Sequence, residues 1–263
     1  MSDARSLPTE PPAAPRRADL ALVERGFFES RAKAQEAIAA GLVAVDGRPV
    51  RKPSETIPPG AAVTAEPPYP WVSRGGLKLA AALERFGYDP TGRACLDVGA
   101  STGGFSHVLL SAGARRVCAV DVGHGQLHRT VRDDPRVASL EGRDARTLAP
   151  EDLGEAPTLL TFDVSFISLR LVMPHVLALA ASDAAMVALV KPQFEAGRAH
   201  VRKGLVKDPA IHRTVCDGAR DLVASLGWRC DGVIPSPVAG GDGNLEFLIG
   251  ARRGAFPAEP HHA

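Results

Sequence analysis

The stretch LDVGASTGGFSHVLL, residues 96–110, places a glycine-rich segment between two apolar runs. This pattern predicts a strand, a tight turn and the start of a helix. Gly99 and the glycine five positions later have the spacing of a phosphate-binding loop, but Phe105 stands where that loop requires lysine. The dinucleotide pattern G-x-G-x-x-G also fails, because Ala100 and Ser101 follow Gly99 directly. The turn therefore favours a nucleoside-like ligand that needs little phosphate neutralisation.

Two aspartates near this turn narrow the choice of ligand. Asp121 ends the next strand-like run, RRVCAVDVG, at the distance where an acidic residue typically binds ribose hydroxyls. Asp97 begins the turn and is placed to face a cationic group. Together they favour S-adenosylmethionine, which has a ribose, an adenine and a sulfonium cation but no phosphate. The alternative is an ordinary strand–helix turn with an aspartate that caps the core.

Composition indicates a globular chain with local rather than global charge. The 263 residues are 45% hydrophobic and 23% charged, with a net charge of +1, so nucleic-acid binding would have to use local patches. The four cysteines show no C-x-x-C spacing, and we expect no metal site. The N-terminus does not resemble a secretory signal, and residues 171–190 are typical of a helix, a turn and a strand rather than a membrane span. We expect a cytoplasmic protein.

The pattern along the chain predicts two domains. Residues 1–15 and 253–263 are predicted to be disordered tails. Residues 16–66 predict a small α+β domain with an amphipathic helix that places Leu20, Val23 and Phe27 on one face, and an Asp-Gly hairpin in LVAVDGRPV. The proline-containing residues 67–72 form a linker. Residues 73–252 alternate strand and helix patterns, which predicts a doubly wound, Rossmann-like α/β sheet.

The small domain resembles the S4 RNA-binding domain, through R-x-D at 17–19, SRAKAQEAI at 30–38 and GLVAVDGRPV at 41–50. Eight basic and five acidic residues lie between positions 16 and 52, a local net charge of +3 that suits contact with phosphates. The alternative is a solvated helix face. The resemblance implies that the residues facing RNA are Arg17, Ser30, Arg31, Lys33 and Gln35.

Four polar residues in the large domain are predicted to share one site. Asp163 and Lys191 each follow an apolar strand pattern, so both are expected at the sheet edge where the Gly99 turn lies. Lys78 lies beside the apolar stripe of a predicted helix. Strand alternation in NLEFLIG puts Glu246 on one face together with Leu248. Taken singly, each has an ordinary structural explanation, as a surface charge, a turn cap or an edge residue.

The order Lys78, Asp163, Lys191, Glu246 resembles the K-D-K-E tetrad of FtsJ/RrmJ-like ribose 2′-O-methyltransferases. Longer strings, SRGGLKL, LDVGASTGGF, FDVSFISL, LVKPQFEAGR and GNLEFL, resemble the TlyA family, which joins an S4 domain to such a methyltransferase domain and includes members named haemolysins. The resemblance implies S-adenosylmethionine-dependent methylation of cytidine 2′-hydroxyls in 16S or 23S ribosomal RNA. The residues expected around the donor are Asp97, Gly99, Ser101, Thr102, Gly103, Gly104, Asp121 and Asp144, although a simple turn explains Asp144 equally well.

A ribose hydroxyl is a weak nucleophile, and we expect Lys191 to act as its base or electrostatic stabiliser. Two adjacent ammonium groups disfavour each other's charge, so Lys78 is expected to favour the basic form of Lys191. Asp163 would orient Lys191, and Glu246 would position the lysines or the acceptor. The segment RAHVRKGLVK, residues 198–207, has four basic residues and no acid, which predicts a mobile loop that contacts RNA through Arg202 and Lys203. The alternative is a solvated surface loop.

Other functions remain open at this point. A catalytically silent RNA-binding or ribosome-assembly factor would have the same S4 domain. A methyltransferase that acts on a base or a small molecule would share the donor turn. The failed glycine spacing argues against a nicotinamide-dependent oxidoreductase.

Overall fold

The computed structural model describes residues 14–240 and 243–253. Most of the two tails predicted to be disordered therefore lies outside the described residues. The chain divides into two compact units, Met1–Pro70 and Trp71–Ala263, and the division falls inside the predicted linker.

The N-terminal unit combines two short helices with short strands. The helices are α1 (Ala18–Glu24) and α2 (Arg31–Ala39). The strands are β1 (Arg16–Arg17), β2 (Val43–Val45), β3 (Arg48–Pro49), β4 (Thr56–Ile57) and β5 (Val63–Ala65). One antiparallel sheet has the order β3-β2-β5, and β1 pairs with β4. The unit is α+β, as expected.

Local sequence signals explain most of this unit. Asp46 and Gly47 have φ angles of 49° and 75°, so the predicted hairpin turn uses the left-handed conformations that Asp-Gly favours. Ser30 caps α2 by accepting a hydrogen bond from the Lys33 N–H at 3.3 Å. The predicted apolar face of α1 is wrong in one respect: the helix ends at Glu24, and Phe27 is 41% exposed. Gly26, with a left-handed φ of 78°, ends the helix before position 27.

The C-terminal unit contains a seven-stranded sheet of order β11-β12-β10-β9-β6-β7-β8. Neighbouring strands from β10 to β8 are parallel, whereas β12 runs antiparallel to β10 and β11. The strands are β6 (Ala94–Val98), β7 (Arg116–Asp121), β8 (Val137–Glu141), β9 (Leu159–Phe162), β10 (Ala185–Val190), β11 (Trp228–Pro235) and β12 (Phe247–Arg253).

Helices cover both faces of this sheet. They are α3 (Gly75–Phe86), α4 (Gly104–Ser111), α5 (Arg129–Arg132), α6 (Pro150–Leu153), α7 (Leu169–Ala178), α8 (Pro192–Glu195) and α9 (Pro209–Ser225). One buried cluster includes α7 and α9 side chains, and a second includes α3 and α4 side chains. The doubly wound α/β prediction is therefore confirmed. Within the described part of the chain, no helix has the length and apolar character needed to cross a bilayer.

The order of the strands fixes the place of a binding crevice. From β6 the chain proceeds outward to β7 and β8, then returns to β9 on the other side of β6. Such a reversal leaves an opening at the carboxyl ends of β6 and β9, where open α/β sheets bind ligands. The Gly99 turn follows β6, and Asp163 follows β9.

Candidate active site

The glycine-rich segment forms the predicted turn between β6 and α4. Gly99, Ser101 and Gly103 have φ angles of 84°, 47° and 91°, so the backbone is left-handed at three nearby positions. A Cβ on Gly99 would lie 2.5 Å from the Asp163 carbonyl oxygen. Glycine is therefore required at position 99, because the backbone at Asp163 passes too close for a side chain. This close approach places the turn beside Asp163.

A cavity of about 470 Å³ opens at this edge of the sheet. Its size is within the usual range for small-molecule sites. The side chains and backbone that line it include Gly99, Ser101, Asp121, Val122, Gln126, Asp144, Asp163, Phe166 and Ile167. Polar groups and apolar groups are both present, as a nucleoside-like ligand requires.

Asp121 is held in place by the backbone around it. Its two carboxylate oxygens accept hydrogen bonds from the Ser101 N–H at 2.8 Å and the Gly123 N–H at 2.7 Å. Each carboxylate oxygen has a further lone pair, so Asp121 can also accept hydrogen bonds from a ligand. Asp144 at the other side of the cavity is paired with Arg146 at 2.6 Å, and the hydrogen bond from Arg146 lowers the pKa of the Asp144 carboxyl.

Asp97 lies beneath the turn and is fully buried. Its carboxyl oxygens accept hydrogen bonds from the Ser106 hydroxyl at 2.6 Å and the Thr161 hydroxyl at 2.9 Å. Burial raises the pKa of Asp97 to about 6, and the two hydroxyl hydrogen bonds oppose that rise. In the structure this residue joins β6, β9 and α4, outside the cavity lining.

The remaining predicted donor residues begin α4. Thr102, Gly103 and Gly104 lie outside the cavity lining, and Gly103 is the N-cap of the helix. A Cβ on Gly103 would lie 2.9 Å from Leu127, and one on Gly104 would collide with the Ser73 side chain. These two glycines therefore have a packing reason that the sequence pattern alone does not reveal.

Lys191 and Asp163 meet at the carboxyl ends of β10 and β9. The Lys191 Nζ lies 2.6 Å from Asp163 Oδ1 and donates a hydrogen bond to the Ser165 hydroxyl oxygen at 2.7 Å. Lys191 is only 8% exposed. The nearly buried Lys191 amino group is thus held by one carboxylate and one hydroxyl, and Ser165 is a partner that the sequence analysis missed.

Lys78 and Glu246 form a second buried ion pair. The Lys78 Nζ lies 2.5 Å from Glu246 Oε2, and both side chains are buried. Glu246 immediately precedes β12 rather than lying within it, but it faces the core as the alternation predicts. Because removing one partner of a buried ion pair leaves an uncompensated charge, each residue depends on the other.

The register of the sheet relates the two ion pairs. Val190 of β10 pairs with Phe247 of β12 at the end of the recorded register, and Lys191 and Glu246 are the residues directly beyond this pair. The four predicted residues therefore form two ion pairs at one edge of the sheet.

Three of the five predicted RNA-contacting residues of the N-terminal unit share one buried carboxylate. Asp19 accepts hydrogen bonds from Arg17 at 3.1 Å, Arg31 at 2.9 Å and Gln35 at 2.8 Å. The hydrogen bond from the Arg17 guanidinium, with those from Gln35 and Arg31, holds the pKa of Asp19 well below its usual range. About half of each arginine side chain stays exposed, so both guanidinium groups are oriented without being covered.

The basic segment 198–207 contains a defined turn. Arg202 and Leu205 exchange backbone hydrogen bonds of 2.9 and 3.0 Å, and Lys203 and Gly204 between them have φ angles of 51° and 78°. Arg202 and Lys203 are exposed.

Two of the cysteines lie in neighbouring strands of the C-terminal unit, β6 and β7. Cys95 and Cys118 are buried, and burial raises the pKa of the Cys118 thiol to about 11. Within residues 14–240 and 243–253, no cluster of three or more histidine, cysteine or acidic side chains is arranged to hold a metal ion.

Comparison with known families agrees with this architecture. Residues 71–253 match the FtsJ-like methyltransferase model, and residues 16–63 match the S4 domain model. The chain is 47% identical over 240 residues to a Mycobacterium tuberculosis protein named 16S/23S rRNA (cytidine-2′-O)-methyltransferase TlyA. The match covers 90% of this chain and 89% of that protein.

Two further relatives support the same assignment. A Bacillus subtilis protein named putative rRNA methyltransferase YqxC is 44% identical over 236 residues, or 89% of this chain and 84% of that protein. The solved structure of a putative hemolysin from Streptococcus thermophilus has a TM-score of 0.72 and 39% identity, and the match covers 92% of this chain and 90% of that one. The chain therefore belongs to the TlyA family of FtsJ-like methyltransferases with an N-terminal S4 domain.

Proposed function

We propose that this protein transfers a methyl group from S-adenosylmethionine to the 2′-hydroxyl of a cytidine in ribosomal RNA. The observation that carries the proposal is the buried contact of Lys191 with Asp163, whose carboxylate lines the cavity at the Gly99 turn, together with the second buried pair Lys78–Glu246. The relatives named as rRNA (cytidine-2′-O)-methyltransferases support the choice of acceptor.

The residues of the cavity fit the donor. Asp121 has lone pairs for the ribose hydroxyls, and Val122, Phe166 and Ile167 offer apolar surface for the adenine. The carboxylates of Asp121 and Asp163 suit a cationic ligand without phosphates. When bound, S-adenosylmethionine supplies an electrophilic methyl group. Asp97 is buried outside the cavity lining, so its predicted contact with the donor is tested separately, by the variant Asp97→Asn.

The two ion pairs have different tasks in this proposal. Lys191 would bind the acceptor oxygen and, as the neutral amine, accept its proton as that oxygen attacks, which raises the nucleophilicity of the oxygen. Asp163 would stabilise the ammonium group that results, and Ser165 would hold the Nζ in position. Lys78 and Glu246, which lies like Lys191 just beyond the last β10–β12 pair, would orient the acceptor ribose.

The RNA would be held by the charged surfaces of both units. Arg17, Arg31 and Gln35, oriented by Asp19, would contact phosphates together with Ser30 and Lys33. In the C-terminal unit, the exposed Arg202 and Lys203 would contact phosphates beside the acceptor. Such contacts to ribosomal RNA imply a site of action in the cytoplasm.

The variant Lys191→Ala tests the proposal. We expect it to abolish methyl transfer to undermethylated ribosomal subunits while S-adenosylmethionine still binds in a calorimetric titration. Arg220→Ala, which removes an exposed cation on α9 outside the proposed site, is the matched control and should retain turnover. Near-normal turnover in Lys191→Ala would refute the catalytic assignment. A wild-type protein that binds RNA and donor without transferring a methyl group would instead support a silent assembly factor.

A further inference from the structure

Asn244 is a buried polar residue to which the proposed chemistry gives no task. It is 2% exposed and lies two residues before Glu246, on the same buried side of the extended segment that leads into β12. Buried amides are retained in proteins where their hydrogen bonds are satisfied. The partners of Asn244 therefore indicate what it does.

Both ends of the Asn244 amide bind the backbone of the basic turn. Its Oδ1 accepts a hydrogen bond from the Val206 N–H at 3.1 Å, and its Nδ2 donates to the Gly204 carbonyl at 2.8 Å. His212 contacts the same segment, with its Nε2 2.9 Å from the Val206 carbonyl. The backbone of residues 204–206 is therefore held from two sides.

This contact determines where two cations point. Lys203 and Gly204 are both left-handed, and the turn closes through the mutual hydrogen bonds of Arg202 and Leu205. Arg202 and Lys203 are exposed at its tip, whereas Val206 at its base is buried. The tip thus presents a guanidinium and an ammonium from a base that is fixed to the protein.

The same segment carries the ion pair of the proposed site. The Glu246 backbone carbonyl accepts a hydrogen bond from the Ser236 N–H at 2.8 Å, and its side chain binds Lys78. Only Leu245 separates Asn244 from Glu246. The basic turn is therefore connected through one short segment to Glu246, which is expected to orient the acceptor ribose.

We propose that Asn244 is a positioning residue for RNA, which holds the turn Arg202–Leu205 so that its two cations meet the phosphates beside the acceptor nucleotide. The proposal rests on the proposed function. Asn244 touches neither the RNA nor the donor in this role, and it acts through the turn.

Substitution of Asn244 should separate RNA binding from catalysis. In Asn244→Ala, the KM for undermethylated ribosomal subunits should rise about tenfold or more, because two charge-assisted phosphate contacts lose their geometry. The kcat at saturating subunits and the affinity for S-adenosylmethionine should stay within about twofold of wild type. The plot of log affinity against log salt should become shallower by about 1.5, since each phosphate contact contributes about 0.7–0.9.

A double-mutant cycle distinguishes this role from general destabilisation. If Asn244 acts through the turn, Arg202→Ala/Lys203→Ala should weaken RNA binding in the wild type and have almost no further effect in Asn244→Ala. Arg220→Ala, which removes an exposed arginine on α9, controls for simple loss of charge and should have the same effect in both backgrounds.

A second variant disturbs the turn from outside the core. Gly204 has a φ of 78° and open space around it, and proline cannot adopt that angle. Gly204→Pro should therefore show the shallower salt slope and higher KM that are expected of Asn244→Ala. It tests the turn even if Asn244→Ala folds poorly. Additive effects of Asn244→Ala and the double substitution, or a loss of kcat with an unchanged RNA KM, would overturn the proposal. The salt slope is a binding measurement, so it tests the turn even if the wild type transfers no methyl group.

Discussion

Replacing Asp97 with asparagine is expected to stabilise the protein at neutral pH. The Asp97 carboxyl is fully buried, and burial raises its pKa from 3.8 to about 6. Above that pH the fold contains a carboxylate at a position that favours the neutral acid. Asparagine has the shape of the neutral acid, and its amide can form hydrogen bonds with both Ser106 and Thr161 if one hydroxyl reverses its role.

The expected magnitude follows from the linkage between protonation and folding. A carboxyl with a raised pKa in the folded state stabilises the fold below its unfolded pKa, and this contribution is lost as the pH rises through the folded pKa. The change from 3.8 to about 6 corresponds to about 3 kcal/mol, at about 1.4 kcal/mol per pH unit. Roughly half of this, about 1.4 kcal/mol, is lost between about pH 5 and pH 7.5.

The assay is urea unfolding of wild type and Asp97→Asn at about pH 5 and pH 7.5. Groups that titrate alike in both proteins cancel in the difference of unfolding free energies. We expect the variant to gain about 1.4 kcal/mol relative to wild type between the two pH values. Asp183→Asn, at an exposed position, is the matched control and should show no such gain.

A difference between wild type and Asp97→Asn that does not change with pH would refute this reasoning. The same variant also tests the predicted contact with the donor. If Asp97 acts only beneath the turn, the affinity for S-adenosylmethionine should stay within about threefold, whereas a loss of a full kcal/mol or more would indicate a direct contact with a cationic group.

Two further substitutions test the surfaces around the site. Asp19→Asn should weaken RNA binding although it raises the net charge, because two guanidinium groups lose the carboxylate that orients them. Glu24→Gln makes the same charge change at an exposed position and is the control. RNA affinity equal to or higher than that of wild type for both variants, measured in a salt titration, would contradict this reasoning. Gly99→Ala should lower donor affinity at least about tenfold, because its Cβ would lie 2.5 Å from the Asp163 carbonyl oxygen. Gly227→Ala has a similar φ of 78° with open space around it, so equal calorimetric losses in both variants would attribute the effect to backbone strain alone.

The fold was predictable where its signals are local. The glycine turn after β6 and the hairpin at Asp46-Gly47 depend on a few residues whose backbone preferences are strong. The face of Glu246 was also predictable, because alternation in an extended segment determines which side chains are buried. The end of α1 was missed although its signal is local: Gly26 has a left-handed φ of 78°, and the Phe27 N–H donates to the Leu22 carbonyl at 2.9 Å, which ends the helix and leaves Phe27 exposed.

The candidate site was only partly predictable. Strand ends place Asp163 and Lys191 at one edge, but the pairing of each lysine with its own carboxylate depends on strand register and helix packing, which no local pattern encodes. Asp97 lies in a strand that is buried on both faces, so alternation could not show whether its side chain faces the cavity or packs against Ser106 and Thr161. Ser165 and Asn244 have no distinctive spacing, and the only signal for them is their position within FDVSFISL and GNLEFL.

The nature of the methylated atom is the central claim, and alkaline hydrolysis tests it most directly. Undermethylated ribosomal subunits would be incubated with the protein and methyl-labelled S-adenosylmethionine, and the extracted RNA digested with alkali. A ribose without a free 2′-hydroxyl blocks cleavage at its own phosphate, so we predict label in alkali-stable dinucleotides that contain cytidine. Label in mononucleotides would show methylation of a base and would contradict the account.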